Sequence, residues 1–343
     1  MKYFSNKIIQ KQNLIDNYLY LKQKSNKQIC AVVKANAYGH NAKVVVKILG
    51  SYCDFFAVQN LHEAIDIRKV NKSSIILVLG YCIDYKLASK NNISVMVESI
   101  EQLQEIIETD IDLNIHIKIN TGMNRFGLKD KNELKIMQKM LKTSKKVKFE
   151  GIFTHFYKSD DKVVTQKQIR IFKEYIKVID KNFSPIIHIG GSKMTNYDID
   201  FAKYVRCGLS LYGYGEKELK PIMRIESKII KILSVQNGEN IGYQNGYMAN
   251  KKMKIALVPL GYADGIPRNL SNIFAVEISG KKVKSIGYIC MDLFMIDVTN
   301  VNTKVGEVVV VFNDADIWAK KVGVTNYEIL TGLNNSRTDL LID

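Results

Sequence analysis

The sequence is poor in the residues that mark secreted, metal-binding or membrane-spanning proteins. Its 343 residues include five cysteines, which lie far apart in mostly apolar surroundings without CxxC or Cys/His ligand spacing. This pattern supports neither a disulfide framework nor a metal site, and a reducing compartment fits it best. No apolar run approaches the length of a membrane span, and the N-terminus shows no secretory signal, which predicts a cytoplasmic protein.

Acidic residues are scarce relative to basic ones. Lysine and arginine total 50 against 34 aspartates and glutamates, which gives a formal net charge of +16. Such a balance suits a nucleic-acid-binding protein. However, the basic residues are nearly all scattered lysines, and no basic stripe is interleaved with aromatic residues. We therefore expect a diffuse lysine surface and neither a nucleic acid nor a membrane as partner.

Apolar runs alternate with helical segments over roughly the first two-thirds of the chain. The run that ends at Lys34 is the first of eight strand candidates, which recur at spacings of roughly 20 to 35 residues. Continuous apolar strands separated by helices indicate a parallel sheet, and eight of them predict a closed (β/α)8 TIM-type barrel over residues 1–221. An open doubly wound sheet is the alternative, but no GxGxxG opens the first helix.

The pattern changes after Pro221. Short β-rich runs between Ser227 and Asp297 are separated by Gly, Asn and Asp, and a further run follows at Val305. This punctuation is typical of all-β structure. The sequence therefore predicts a second, mostly β domain over residues 222–343.

The stretch from Ala31 to Asn41, AVVKANAYGHN, carries the clearest chemical signal. An apolar, β-branched run ends on Lys34 and leads through small residues into a tight turn. A lysine that ends a buried strand is partly desolvated, which lowers its pKa and frees its amine for Schiff-base chemistry. From these residues alone, a strand-end lysine that reaches solvent is the commoner explanation.

Other polar residues follow the ends of predicted strands, where a barrel gathers its functional side chains. Arg206 is permanently charged and must be paired or liganded there, so an ion pair and an anion site explain it equally well. Lys118 and Arg125 would repel each other unless an anion, such as a substrate carboxylate or a carbamate on Lys118, lies between them. The lone histidines His155 and His188 are more often satisfied core residues.

Two strings in the sequence resemble motifs of one enzyme family. AVVKANAYGHN resembles the pyridoxal-phosphate (PLP) lysine motif of bacterial alanine racemases, and VPLGYADGIPR resembles a second motif of that family. Similar segments run from about Asn17 to Leu330. The resemblance implies a PLP-dependent homodimer with shared active sites. Its implied activity is the racemisation of L-alanine to D-alanine for peptidoglycan by two bases.

The resemblance also implies a role for each matching residue. Lys34 would bear PLP and act as one base, while Tyr243 of the partner subunit would act as the other. Arg206 would face the pyridine nitrogen, and His155 would hydrogen-bond the second base. The phosphate would be bound by Tyr38, Ser192, Gly208 and Leu209. The substrate would be bound by Arg125, which a carbamylated Lys118 would orient, and by the Met291 backbone. The gate would consist of Tyr262, Arg268 and Asp160.

The chain departs from the family pattern in four places. Asn120 stands where an acidic residue is common, Gly191 replaces an asparagine, and Tyr288 takes an arginine position. The customary RVPR-x-Tyr ending is absent, and its gate-lining, phosphate-contacting tyrosine would fall near Leu341. Loss of that aromatic wall predicts a broader alanine/serine racemase.

Two further hypotheses keep the cofactor but change the activity. A PLP decarboxylase would be expected to place an acidic residue at the pyridine nitrogen, so Arg206 argues against it. A non-catalytic PLP-binding protein would resemble only the first half of the chain and would need no second base such as Tyr243. The sequence leaves open the substrate range, the turnover rate, the modification of Lys118 and a biosynthetic or catabolic role.

Overall fold

The computed structural model describes residues 3–191, 193–194, 197, 199–333 and 337–343. The chain forms two compact units. The first, here called the barrel unit, comprises Leu14–Ala37 and Ala42–Lys220. The second, here called the β unit, comprises Met1–Asn13, Tyr38–Asn41 and Pro221–Asp343. The two units meet in sequence at Lys220 and Pro221, next to the boundary expected from the sequence, but residues 1–13 belong to the β unit.

Strands and helices are numbered along the chain, and β1 (Asn6–Ile9) belongs to the β unit. The next eight strands run parallel and form a closed barrel in chain order, which confirms the predicted architecture. Strand β9 closes it by pairing with β2, with Ile29 opposite Val205. The barrel strands are β2 (Gln28–Val32), β3 (Phe55–Val58), β4 (Ile75–Val78), β5 (Ser94–Val97), β6 (Leu113–Lys118), β7 (Val147–His155), β8 (Ile186–Gly190) and β9 (Tyr204–Cys207).

The barrel strands are apolar because both of their faces are buried. Every residue of β3, β5 and β9 is buried, including the large side chains of Phe55 and Phe56. Helices surround the strands, and several begin at an Asn, Asp or Ser whose side chain accepts a backbone N–H of the first turn. The helices up to β8 are α1 (Lys11–Ser25), α2 (Ala42–Leu49), α3 (Leu61–Arg68), α4 (Tyr85–Lys90), α5 (Ile100–Glu108), α6 (Lys131–Thr143) and α7 (Lys162–Ile176).

The β unit is built on a nine-stranded sheet with the order β11-β12-β15-β14-β13-β16-β10-β1-β17. Strand β1 lies between β10, to which it is antiparallel, and β17, to which it is parallel. This pairing explains why the N-terminal residues belong to this unit. Its other elements are β10 (Met223–Lys228), β11 (Lys231–Val235), β12 (Met253–Val258), β13 (Ala275–Ile278), β14 (Lys281–Ile286), β15 (Phe294–Asp297), β16 (Val308–Phe312), β17 (Asp339–Ile342), α8 (Ala315–Val322) and α9 (Asn326–Gly332).

An aromatic cluster forms part of the core of the β unit. The Trp318 ring of α8 packs edge-on against Phe274 and Phe312, with ring centroids 5.7 and 5.0 Å away. Edge-to-face packing of this kind adds roughly 0.5–1.5 kcal/mol beyond the buried area. Among the described residues, no helix combines the length and the apolar character needed to cross a membrane.

Candidate active site

Lys34 lies two residues beyond the end of β2, at the start of a left-handed turn. Ala35, Asn36, Ala37 and Tyr38 have φ values of 50°, 52°, 55° and 52°. Non-glycine residues avoid this region because Cβ crowds the following carbonyl, at a cost of roughly 1–2 kcal/mol per residue. Of these four residues, Asn36 is the type that tolerates this conformation best, and the turn sharply changes the chain direction directly after the lysine.

Hydrogen bonds within the barrel unit hold this turn. The Glu63 carboxylate of α3 accepts the Ala35 N–H at 2.7 Å and the Gln59 N–H at 2.8 Å. The Asn36 side chain accepts the Ala42 N–H at 2.8 Å. Glu63 therefore fixes the backbone beside Lys34, a role that the sequence did not reveal because the two residues are 29 positions apart.

Arg206 is the most deeply buried charged group near Lys34. Its side chain on β9 is 4% exposed, and its guanidinium donates to Nδ1 of His188 at 2.8 Å and to the Thr154 carbonyl at 2.7 Å. The Phe153 ring lies 4.7 Å from the guanidinium carbon, as in a cation–π contact. Within the described residues, no carboxylate forms an ion pair with Arg206, so its charge is available to an anion or to a lone pair.

The cations predicted at the strand ends act on one another electrostatically. The pKa of Lys34 is lowered mainly by burial and further by the positive charges of Arg125 and Arg206, whereas the negative charge of Glu63 raises it in part. Burial, then Arg206 and Arg125, lower the pKa of Lys118 to about 8. His155 carries no charge, since burial followed by the nearby cations lowers its pKa to about 3. The cluster of Lys34, Lys118, Arg125 and Arg206 is therefore a strong positive field within the barrel unit.

Gly190 makes room for this cluster. A Cβ at this position would lie 2.2 Å from Nη2 of Arg206 and 2.4 Å from Nδ1 of His155. Both distances are far below van der Waals contact, so only glycine lets the strand approach these side chains. Close packing therefore explains why the first glycine of the HIGG string, Gly190, is needed.

The predicted phosphate turn follows β9. Gly208 precedes a 3-10 turn, Leu209–Tyr212, whose last residue donates its hydroxyl to the Val32 carbonyl of β2 at 2.8 Å. This bond ties the predicted phosphate turn to the strand that leads to Lys34. Ser192, the third barrel residue predicted to bind phosphate, lies outside the described residues.

Tyr243 lies at the start of a tight turn in the β unit. Gln244 and Asn245 both have positive φ, 53° and 51°, and the Gly246 N–H closes the turn on the Tyr243 carbonyl at 2.8 Å. Positive φ at both central residues is the type I′ geometry that favours Asn and Gly. The Tyr243 side chain is 67% exposed, so the turn presents its hydroxyl group outward.

The GYADG and ICMD strings pack together in the β unit. The Tyr262 and Ala263 N–H groups donate to the Cys290 and Met291 carbonyls, each at 3.0 Å. A Cβ on Gly261 would lie 2.2 Å from the Met291 carbonyl oxygen, so the two segments require glycine there. This contact places the predicted gate residue Tyr262 beside the predicted substrate contact Met291.

The other gate residues lie in different units. Arg268 belongs to the β unit, with its guanidinium carbon 5.1 Å from the Tyr288 ring centroid, so the tyrosine at the usual arginine position accepts a cation–π contact. Asp160 belongs to the barrel unit and forms an exposed ion pair with Lys193. The predicted three-residue gate thus stays a prediction.

Tyr327 is an aromatic neighbour of Tyr38, although the sequence assigned it no role beyond serving as the position from which the missing tyrosine was placed. The two rings lie 5.8 Å apart within the β unit, and burial raises the pKa of both hydroxyl groups. Leu341, where spacing placed the missing tyrosine, is instead on β17 and pairs with Ile8. Helix α9 begins at Asn326, and Glu328 completes a capping box with Thr325 that fixes the helix start and with it the position of Tyr327.

The sequence matches two family models along most of its length. The alanine racemase N-terminal domain matches residues 9–216, and the alanine racemase C-terminal domain matches residues 222–340. The chain belongs to the alanine racemase family. Curated alanine racemases are similar at moderate identity: that of Staphylococcus epidermidis is 32% identical over 94% of this chain and 90% of its own, and that of Aquifex pyrophilus 31% identical over 97% of each.

Solved structures of alanine racemases agree with this assignment. The Clostridium difficile 630 enzyme superposes with a TM-score of 0.90 at 32% identity and covers 100% of this chain and 96% of its own. The Bacillus anthracis enzyme, solved with bound L-Ala-P, superposes with a TM-score of 0.91 at 28% identity, covering 100% of this chain and 96% of its own. The protein is thus an isomerase of the alanine racemase family, and the predicted family is confirmed.

Proposed function

We propose that the protein interconverts L- and D-alanine with PLP as cofactor, and that Lys34 and Tyr243 are its two bases. The observation that carries the proposal is the positive cluster around Lys34 in the barrel unit. Like charges this close destabilise one another unless anions lie between them. A cofactor phosphate and a substrate carboxylate supply such anions.

The residues present fit the cofactor chemically. Lys34 offers an amine of lowered pKa, and burial is the main cause. Arg206 points guanidinium N–H groups at His188 and Thr154 and carries no proton acceptor of its own. Tyr38, the backbone N–H groups at Gly208 and Leu209, and Ser192 would hold the phosphate, since hydroxyl and N–H donors suit that anion.

When bound, PLP supplies an electron sink that acidifies the Cα–H bond of an amino acid. Arg206 would limit that sink, because a guanidinium donates to the pyridine nitrogen without protonating it. Charge would then stay near Cα, where a proton returns quickly. This favours racemisation over transamination.

Two bases on opposite faces of Cα would move the proton. Nζ of Lys34 serves one face, and its lowered pKa increases the neutral fraction that can accept a proton. Oη of the partner subunit's Tyr243 serves the other face, which is consistent with its outward position on a tight turn. The neutral His155 imidazole would accept the hydrogen bond of that hydroxyl, because its pKa of about 3 leaves a ring nitrogen free of its proton.

Arg125 and the Met291 backbone would bind the substrate carboxylate. Lys118 would orient Arg125 as a carbamate, since its pKa of about 8 increases the neutral amine that reacts with carbon dioxide. The gate would consist of Tyr262, Arg268 and Asp160. We propose alanine as the preferred substrate over serine, because Tyr327 beside Tyr38 supplies an aromatic side chain in place of the one sought near Leu341.

The product D-alanine would serve peptidoglycan synthesis in the cytoplasm. A PLP decarboxylase is disfavoured, because a basic and not an acidic residue occupies the buried position on β9. A non-catalytic PLP-binding protein would leave the exposed Tyr243 turn unexplained.

Subunit mixing tests the shared site. Lys34→Ala and Tyr243→Phe homodimers should each be inactive in converting L-alanine to D-alanine. In a heterodimer one site combines both mutations and the other retains both bases, so a statistical mixture should recover about a quarter of wild-type activity. Mixing Lys34→Ala with the Lys34→Ala/Tyr243→Phe double variant is the matched control and should recover none. Demonstrated heterodimers without activity would contradict the role of Tyr243 in trans.

A second measurement tests the cofactor and the substrate. Purified wild type should bind PLP with a shifted visible absorption that Lys34→Ala lacks. Comparison of kcat/KM for L-alanine and L-serine then addresses specificity, since one hydroxyl in a pocket is typically discriminated by about 1–3 kcal/mol. Equal values would favour the broader alanine/serine racemase.

A further inference from the structure

A row of hydrogen-bonded side chains crosses the barrel interior behind Arg206. Nη1 of Arg206 lies 2.8 Å from Nδ1 of His188, and Nε2 of His188 lies 2.8 Å from Nδ1 of His116. Nε2 of His116 lies 2.8 Å from a carboxylate oxygen of Glu150. The row thus joins four barrel strands, β9, β8, β6 and β7, and ends on a carboxylate to which the Ser94 hydroxyl also donates.

The members of the row have little freedom to move. His116 and His188 are fully buried, and the His188 ring stacks on Phe153 with centroids 4.8 Å apart. A Cβ on Gly151 would lie 2.1 Å from Nδ1 of His116, so the strand touches the ring. Each ring nitrogen is therefore limited to the partner that it has.

The direction of every hydrogen bond follows from Arg206. A guanidinium can only donate, so Nδ1 of His188 must accept and its proton must lie on Nε2. That proton is donated to Nδ1 of His116, which leaves the proton of His116 on Nε2, facing Glu150. The carboxylate is the one member that only accepts. Burial raises its pKa, but the hydrogen bonds from His116 and Ser94 and the nearby Lys148 ammonium lower it below the usual value, so it stays ionised.

We propose that Glu150 is a positioning residue for Arg206: it fixes both histidines as Nε2–H tautomers and thereby keeps the Nδ1 lone pair of His188 aimed at the guanidinium. Without this anchor, His188 can place its proton on Nδ1, against the N–H of Arg206. The guanidinium would then lose an acceptor and shift from the place where the proposed function needs it, at the cofactor ring. The inference rests on that proposed function only for its effect on catalysis.

Histidine tautomers test the inference directly. The holoenzyme, labelled with 15N at its five histidines, gives two-bond proton–nitrogen correlations that distinguish the two tautomers. We expect His116 and His188, assigned by single substitutions, to be Nε2–H in wild type. An Nδ1–H signal from either residue would overturn the proposal, whether or not the protein racemises alanine.

Two substitutions of Glu150 then show whether its hydrogen-bond acceptor is what positions the histidines. Glu150→Gln retains an oxygen acceptor of the same shape, so the tautomers and kcat should stay close to wild type. Glu150→Leu removes the acceptor, so His116 and His188 should show mixed tautomers. With it, kcat for L-alanine should fall between about 2- and 30-fold, the range typical of residues in such networks, with little change in KM. Glu174→Gln, which breaks an exposed ion pair between Glu174 of α7 and Lys177, is the control and should change neither the tautomers nor kcat.

The outcomes separate this inference from the proposed function. Unchanged tautomers and kcat in a folded Glu150→Leu variant would overturn the positioning role. An equal loss of kcat in Glu150→Gln and Glu150→Leu with wild-type tautomers would also overturn it, because the charge alone would then matter. If Glu150→Leu does not fold, the tautomers of wild type and Glu150→Gln still test the proposal, because an Nδ1–H tautomer of His116 or His188 in either protein would overturn it. Absence of racemisation with the expected tautomers would count against the proposed function alone.

Discussion

Each unit of the protein contains at least one buried cation that has no ion pair within the described residues. Arg206 in the barrel unit is 4% exposed, and Lys7 on β1 of the β unit is 5% exposed. Arg206 donates to a histidine nitrogen and a carbonyl, whereas Lys7 donates to two carbonyls, those of Gly39 at 3.1 Å and Leu333. Burial lowers the pKa of Arg206 to about 10 and that of Lys7 to about 8.

The difference shows what each cation can do. At neutral pH Arg206 keeps its charge, because a guanidinium loses its proton only at a much higher pH. Lys7 is much closer to losing its proton, and an uncharged amine can still donate to two carbonyls. Lys7 joins the Gly39 carbonyl, next to Tyr38, to the Leu333 carbonyl at the end of α9, which carries Tyr327. Arg206 is therefore suited to bind a ligand, whereas Lys7 holds two backbone segments of the β unit together.

The largest effect should come from crowding the row behind Arg206. Gly151→Ala forces a Cβ against the His116 ring, and because both backbone and ring are fixed in the barrel, we expect a loss of roughly 2–4 kcal/mol in the free energy of unfolding. Gly332→Ala, in α9, is the control, because its nearest neighbour would be 3.9 Å away. Urea unfolding measures both. Equal stability of the two variants would mean that the barrel row is loosely packed.

A smaller effect should come from the titration of Lys7. Its pKa rises from about 8 in the folded state to 10.5 when unfolded, so between these values the unfolded chain binds more protons. The penalty for burying the charge is complete below pH 8 and disappears as the pH rises towards 10.5. The stability of wild type should therefore increase relative to Lys7→Met, by about 3 kcal/mol at most.

Urea titrations of wild type and Lys7→Met at pH 7.5 and pH 10 measure this difference, since groups common to both proteins cancel. Lys11→Met, at an exposed position at the start of α1, is the control and should track wild type at both pH values. A constant difference between wild type and Lys7→Met would show that Lys7 titrates normally. The comparison with Arg206 would then fail.

Local signals made the barrel predictable from the sequence. Its strands are short apolar runs because each is buried on both faces, and such runs stand out between polar helices. The position of β1 was not predictable, because its partners β10 and β17 lie more than 200 residues away along the chain. Nothing in four residues such as NKII reveals which of two sheets they join.

The residues of the candidate site also fall into those that local sequence signals revealed and those that they did not. Lys34 stood out because its neighbours form a continuous string, and the cations at strand ends followed from the rule that barrels gather function there. Glu63, Glu150 and Tyr327 were missed because each acts through a partner far away in sequence. His188 was interpreted as a satisfied core histidine, and it is indeed buried and hydrogen-bonded. What the sequence could not show is that its partner is Arg206.

The smallest effect should come from an exposed lysine that makes as many contacts as Lys7. Nζ of Lys146 lies 2.7 Å from the Asp110 carboxylate and 2.8 Å from its carbonyl, yet the two side chains are 43% and 82% exposed. Water solvates both ions when they separate, so we expect Lys146→Gln to change the free energy of unfolding by less than about 0.5 kcal/mol. Urea titrations in low and high salt measure this, and any loss should vanish in high salt because exposed pairs are screened. A salt-independent loss above about 1 kcal/mol would contradict the argument. Burial would then no longer be what distinguishes Lys7 from the many lysines of the surface, and the number of hydrogen bonds would matter instead.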